Sequence, residues 1–178
     1  MAKNKTAVTN AMRILKAAKI DFKEVEYEAE EVGTSFGEKI SELTGISPDI
    51  SLKTLVARGD KTGIMVACIP VKSEIDLKKL ARASGNKKVE MIHVKELLDL
   101  TGYIRGGVSP IGMKKQYPTY VEETAGTYEE IAVSGGRCGI TLLMSPESLQ
   151  KVTNCKFADL VLLVQSANIS LNKLDREC

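Results

Sequence analysis

The chain has 178 residues, enough for one domain with a real core and no need of covalent or metal staples. Its 43% apolar and 27% charged content is that of a soluble globular protein, and 25 basic against 23 acidic residues argue against a dedicated nucleic-acid coat. Trp is absent and aromatics reach only 4%, which disfavours an aromatic base-stacking platform. One histidine, His93, excludes a multi-histidine metal site, and four cysteines without CxxC spacing exclude a metal finger.

Val8, Ala11, Met12, Leu15 and Ala18 recur at helical spacing and predict an amphipathic first helix. The charges scattered around it do not read as a signal peptide. Phe22–Tyr27 reads as a strand, and Phe36–Leu43 as a helix stopped at Gly45. Ser51–Arg58 and Gly63–Ile69 are β-rich runs separated by Gly59-Asp60-Lys61-Thr62, a hairpin signal. Asp76 can cap a helix that runs through Ala83 and stops at Gly85. Val89–Ile92 is short and β-like, and His93–Leu100 is helical with Val94, Leu97 and Leu98 on one side.

A glycine-rich loop spans Thr101 to Lys115, and Thr119–Glu122 and Glu130–Val133 are strand candidates beyond it. The turn from Ser134 to Gly139 leads into a strand, Ile140–Met144, and Ser145-Pro146 starts a helix with proline at its first position. Phe157–Val164 closes the domain, giving one domain over 1–166 and a polar tail over 167–178. Helices and strands mix without a strict βαβ rhythm, which predicts an α+β fold with a mixed, mostly antiparallel sheet. No apolar stretch approaches the ~20 residues of a membrane span, so a reduced, cytoplasmic setting without membrane contact is expected.

Lys53 is the first chemical outlier. In Ser51-Leu-Lys-Thr-Leu-Val-Ala57, period-2 alternation groups Lys53 with Leu55 and Ala57, and Leu52 with Thr54 and Val56. A lysine among apolar neighbours either lines a cleft, where it could hold an anion, or snorkels from an edge strand to water. Gly107-Val-Ser-Pro-Ile-Gly112 has phosphate-loop spacing, but Met113 replaces the lysine and Lys115 the Ser or Thr, so Walker-type nucleotide binding is disfavoured. Ile111 breaks the G-x-S-x-G nucleophile elbow around Ser109. Cys138, between Arg137 and Gly139 in the second glycine turn, is thin support for a reactive thiol. The pairs Lys78-Lys79, Lys87-Lys88 and Lys114-Lys115 read first as solvated helix ends and turns.

Taken in order, Phe22…Tyr27, Ser35-Phe36-Gly37, Leu52-Lys53-Thr54-Leu55, Leu77-Lys78-Lys79, Lys87-Lys88-Val89-Glu90-Met91, TGYIRGGVSPIGMKK (101–115), VSGGRCG (133–139) and Lys156-Phe157-Ala158-Asp159 resemble the YbaK/EbsC family. Its members deacylate mischarged tRNA and are relatives of the prolyl-tRNA synthetase editing domain. The resemblance implies a single α+β domain whose sheet is partly barrel-like and flanked by helices. It implies a cytoplasmic deacylase of Cys-tRNA(Pro), and of Cys-tRNA(Cys), that uses no metal or other cofactor. Cysteine is close to proline in size, so a synthetase cannot exclude it by fit and a second site must clear the error.

In that family the substrate's own thiol is thought to attack its ester, with the protein supplying position and electrostatics. Carried over by position, Lys53, Gly106 and Gly107 would be catalytic. Tyr27, Thr54, Tyr103, Arg105, Ser109, Ser134 and Thr141 would line the substrate. Many members carry an acidic residue where this chain has Thr141, so Ala-tRNA(Pro) stays open as the substrate. A non-catalytic module that binds tRNA ends or a synthetase stays open as well. The partners implied are the acceptor end of tRNA(Pro) and prolyl-tRNA synthetase.

Overall fold

A computed structural model describes residues 7–28 and 36–163, so Ser35, Val164 and the expected boundary at Ser166 with its tail lie outside the described residues. Helix α1 (Asn10–Ala17) is capped by Thr9, whose hydroxyl accepts the Met12 N–H at 3.2 Å, and it buries Ala11, Met12 and Leu15. Strand β1 (Lys23–Glu26) and helix α2 (Phe36–Thr44) follow, and Gly45 ends α2 with a φ of 71°. Strands β2 (Leu52–Gly59) and β3 (Gly63–Pro70) form the expected hairpin, paired from Leu52↔Pro70 to Gly59↔Gly63.

Helix α3 (Leu77–Ser84) begins where the Asp76 carboxylate accepts the N–H groups of Lys78 and Lys79, and it ends at Gly85 with a φ of 74°. Strand β4 (Val89–Met91) is followed by a 3-10 turn (Val94–Glu96) and a five-residue helix α4 (Leu97–Thr101). Beyond the glycine loop come β5 (Thr119–Glu122), β6 (Ile131–Ser134), β7 (Ile140–Met144), α5 (Pro146–Thr153) and β8 (Lys156–Ala158).

The strands make two sheets. One is antiparallel in the order β1-β7-β6, and the other is mixed in the order β4-β2-β3-β5-β8, with β3–β5 and β5–β8 parallel. They join at a single parallel bridge, Ser51↔Ala132, where the Ala132 N–H donates to the Ile50 carbonyl at 2.9 Å. Strand β3 is covered on both faces, which explains its unbroken apolar run Met65-Val-Ala-Cys-Ile69. Val66 and Cys68 pack with Met12, Leu15, Leu142 and Leu149, whereas Met65, Ala67 and Ile69 pack with Leu80 and Leu160.

The segment after β4 departs from the expected single helix. It splits into the 3-10 turn and α4, and of its apolar stripe only Leu97 packs against a core cluster, with Val56, Tyr103 and Val108, while Val94 and Leu98 are exposed. One helical turn is too short to bury a face against the sheet.

Candidate functional site

The outer edge of β2 is shared by two strands that do not meet. Ser51 bridges to Ala132 at one end, and Ala57 to Gly59 pair with β4 at the other. Between them the edge has no strand partner among the described residues. The Ile92 N–H donates to the Val56 carbonyl at 3.3 Å, and the Ala132 N–H to Ile50, so the even-numbered residues turn their main-chain groups outward. By the same alternation Thr54 presents its N–H and C=O to the gap. A cavity of about 510 Å³ fills this gap.

Its lining includes Leu52, Lys53, Thr54, Leu55 and Val56 in succession. Both faces of β2 reach the cavity because the strand's edge opens on it, not one of its faces. Lys53 is half-buried and makes no ion pair among the described residues. Burial holds its ammonium pKa below the ordinary lysine value, and Glu74 nearby partly offsets this. Lys53 and Arg105 are the charged side chains of the lining, which contains no carboxylate among the described residues.

Tyr27, Ser134 and Thr141 line the end of the cavity formed by the β1-β7-β6 sheet. Thr141 stands between Val25 of β1 and Ser134 of β6, buried, with a hydroxyl that makes no hydrogen bond to the described residues. The Ser134 hydroxyl accepts the Gly136 N–H at 3.3 Å. Burial raises the Tyr27 phenol pKa, against a main-chain hydrogen bond with Gly139 and with the Cys138 thiol adding to the rise.

Of the glycine loop, Arg105, Gly106 and Val108 reach the cavity. Gly106 adopts a φ of 89°. Gly107, Tyr103 and Ser109 do not line the cavity. The Gly107 N–H is spent on the Ile104 carbonyl at 2.9 Å, and a Cβ on Gly107 would lie 3.0 Å from the Cys138 nitrogen. The buried Ser109 hydroxyl accepts the Ile111 N–H at 3.2 Å. The buried Tyr103 hydroxyl donates to the Ile111 carbonyl at 2.5 Å, and burial pushes its pKa up to about 12.

The Tyr103 ring also sits where a Cβ on Gly136 would come within 2.9 Å, so one tyrosine clamps the first glycine loop to the second. Tyr103, Gly107 and Ser109 therefore hold the loop's shape from behind the cavity lining. The other expected site residues, Lys53, Gly106, Tyr27, Thr54, Arg105, Ser134 and Thr141, converge on it.

Met91, Ile92, Val94 and Leu97 also wall the cavity, and the sequence reading placed none of them there. Their signal was the apolar run at and after the end of β4, of which Ile92 and Leu97 also pack against Val56, Tyr103 and Val108. Among the described residues, no thiol and no histidine lines the cavity. Cys68 is fully buried, with its pKa raised to about 12, and Cys138 and His93 lie outside the lining.

Residues 29–152 match the aminoacyl-tRNA editing domain family. The chain is 52% identical over 161 residues to EbsC of Enterococcus faecalis (strain ATCC 700802 / V583), a protein assigned as a Cys-tRNA(Pro)/Cys-tRNA(Cys) deacylase, covering 90% of this chain and 98% of that one. A solved structure assigned as a trans-editing enzyme for prolyl-tRNA synthetase superposes with a TM-score of 0.75 at 26% identity, covering 89% of this chain and 100% of the other. A scaffold protein used to present grafted linear epitopes superposes with a TM-score of 0.78 at 25% identity, covering 89% and 99%. Among the described residues no helix is long and apolar enough to cross a membrane. With the family match and the EbsC relationship both spanning most of its length, the chain belongs to the aminoacyl-tRNA editing domain family, beside EbsC.

Proposed function

We propose that the chain is a trans-editing deacylase that cleaves the ester of Cys-tRNA(Pro), and of Cys-tRNA(Cys), in the cytoplasm. The observation that carries the reading is a cavity with two cations and an open main-chain edge, but no nucleophile–base pair among the described residues. Such a cavity suits a substrate that brings its own reactive group, and the thiol of a cysteinyl ester is one. Lys53 and Arg105, unopposed by a lining carboxylate, favour its thiolate.

In the step proposed, the substrate sulfur attacks its own ester carbonyl. A C–S bond forms, the C–O bond to the terminal ribose breaks, and the ribose oxygen leaves with a proton. Water then opens the resulting thiolactone to free cysteine. Proximity and electrostatic stabilisation carry the rate. Lys53 meets the developing negative charge, Gly106 and Thr54 offer main-chain groups, and Tyr27, Ser134 and Thr141 surround the amino acid. Tyr103, Gly107 and Ser109 position the loop. The 1–166 unit is the working domain, and prolyl-tRNA synthetase, which makes the error, is its natural partner in substrate supply.

Incubating the protein with Cys-tRNA(Pro), Ala-tRNA(Pro) and Pro-tRNA(Pro) tests the reading. Loss of the cysteinyl ester alone is expected. Loss of the alanyl ester would move the specificity to a small side chain without a thiol. Loss of none would leave a binding module.

A further inference from the structure

The cavity mouth is not ringed evenly. Met91, Val94 and Leu97 line it, Leu98 lies one helical turn beyond Val94, and Ile104 immediately precedes Arg105, which returns to the lining. Val94 is 60% exposed, Leu98 52% and Ile104 58%. Single exposed apolar residues need no explanation, but these continue a cavity wall out onto the surface. Exposed cations flank them. Lys95 sits beside Val94, and the Lys114 stem lies over Gly102, with its Cγ 3.4 Å from where a Cβ there would be. Glu96, which could neutralise them, is tied to Arg58 at 2.8 Å, leaving Asp99 as the untied carboxylate of this stretch.

We propose that this rim, from Met91 to Ile104, seats the unstacked 3′-terminal bases of the tRNA. The inference rests on the deacylase reading and adds to it the course of the nucleotides. An aminoacyl group inside the cavity is esterified to a ribose, so the base on that ribose must lie at the mouth. Bases of a single-stranded end have apolar faces to cover. Tyr103, the one Phe, Tyr or Trp between Met91 and Ile104, is buried, so aliphatic side chains cover them here. Lys95, Arg105 and Lys114 are placed to meet the linking phosphates, which contribute affinity and not register.

The test uses fluorescently labelled, uncharged tRNA(Pro), either intact or lacking its last three nucleotides. Binding is measured for the wild type, Val94→Asp, Leu98→Asp, Val94→Lys and, as a control at another exposed apolar position, Val8→Asp. The wild type is expected to bind the intact tRNA about fivefold or more tighter than the trimmed one. All three rim variants should erase that preference while melting as the wild type does, and Val8→Asp should keep it. Loss in Val94→Lys as well as Val94→Asp separates apolar seating from simple charge.

A wild type indifferent to trimming, or rim variants that keep the preference, would overturn the proposal. So would variants that bind tRNA normally but sediment at lower mass than the wild type, which would make the rim a contact between copies of the chain. No ester is present in this experiment. A chain that binds the intact end through the rim yet cleaves nothing would refute the deacylase reading and leave the seat standing. A chain that cleaves cysteinyl esters with no preference for the intact end would do the reverse.

Discussion

Strand β2 has two ends with opposite uses. At the Gly59 end, nearly every polar group is committed to the fold. The Asn86 side chain accepts the N–H groups of Lys61 and Thr62 at 2.9 and 3.0 Å and donates to the hydroxyls of Thr62 and Ser84 at 2.8 and 2.7 Å. Gly59 leaves room for it, since a Cβ there would lie 2.4 Å from the amide. Beside it, the Asp60 carboxylate accepts the N–H groups of Lys87 and Lys88 at 3.0 and 3.1 Å.

At the Lys53 end the same kinds of group are left uncommitted. A lysine is half-buried without an ion pair, a threonine hydroxyl at the cavity wall has no hydrogen bond, and a stretch of strand edge has no partner among the described residues. Unspent polar groups cost stability, and a fold tolerates them where a ligand will use them. The comparison therefore predicts that the two ends answer mutation in opposite ways.

The largest effect is expected from Lys53→Ala, with kcat/KM for Cys-tRNA(Pro) falling about 100-fold or more. The same sample should melt no lower than the wild type. The pH dependence follows from the depressed pKa of Lys53. The folded state disfavours its charged form, so the lysine costs stability at neutral pH, and the cost fades as pH rises through the folded and then the unfolded value. Lys53→Met should accordingly raise the melting temperature most near pH 7, with the gain shrinking toward pH 10. A melting temperature that falls at pH 7 would break the contrast.

Asn86→Ala should do the opposite, costing about 2–4 kcal/mol in urea unfolding while the folded fraction keeps its kcat/KM. Gly136→Ala joins the two behaviours, because it strains a φ of 94° and pushes on the Tyr103 ring that holds the glycine loop. A loss of about 1–3 kcal/mol is expected, together with a lower kcat at unchanged KM, both absent in the neighbouring exposed substitution Arg137→Ala. The smallest effect is expected at Glu122, whose buried carboxylate accepts the Leu160 N–H at 2.7 Å. Burial raises its pKa, so the ionised form is penalised in the fold and stability is lost as pH rises through the carboxylate range. Glu122→Gln keeps an acceptor for that N–H and should melt slightly higher at pH 7, with no gain at pH 4.

Local signals carried much of the architecture. Asp76 and Gly85 bounded α3, Ser145-Pro146 opened α5, and the alternating runs on either side of Gly59–Thr62 formed the β2–β3 hairpin, because caps and turns act within a few residues. Lys53 was legible as an outlier, lining a cleft or snorkelling from an edge strand, but spacing did not choose between the two. Period-2 patterning assigns faces, whereas the gap depends on Ser51 meeting Ala132, a pairing between residues far apart in sequence. The same limit hid the fate of the glycine loop. Tyr103 and Ser109 sit in its motif, yet their hydroxyls turn inward onto the carbonyl and the N–H of Ile111. Nothing in the spacing of glycines distinguishes a residue that lines a cavity from one that shapes the loop lining it. The grouping of Val94, Leu97 and Leu98 on one side was legible from spacing, but spacing does not say that this side walls a cavity, because that depends on where β4 brings it against the edge of β2.

The central claim is that the protein provides position and charge while the substrate provides the nucleophile. Its most direct test is a single-turnover comparison of Cys-tRNA(Pro) with Ser-tRNA(Pro), two esters that differ by sulfur against oxygen. Rapid loss of the cysteinyl ester beside a seryl ester that decays at its spontaneous rate is the predicted result. Equal rates for the two would mean that water or a protein group attacks the carbonyl, and would contradict the account.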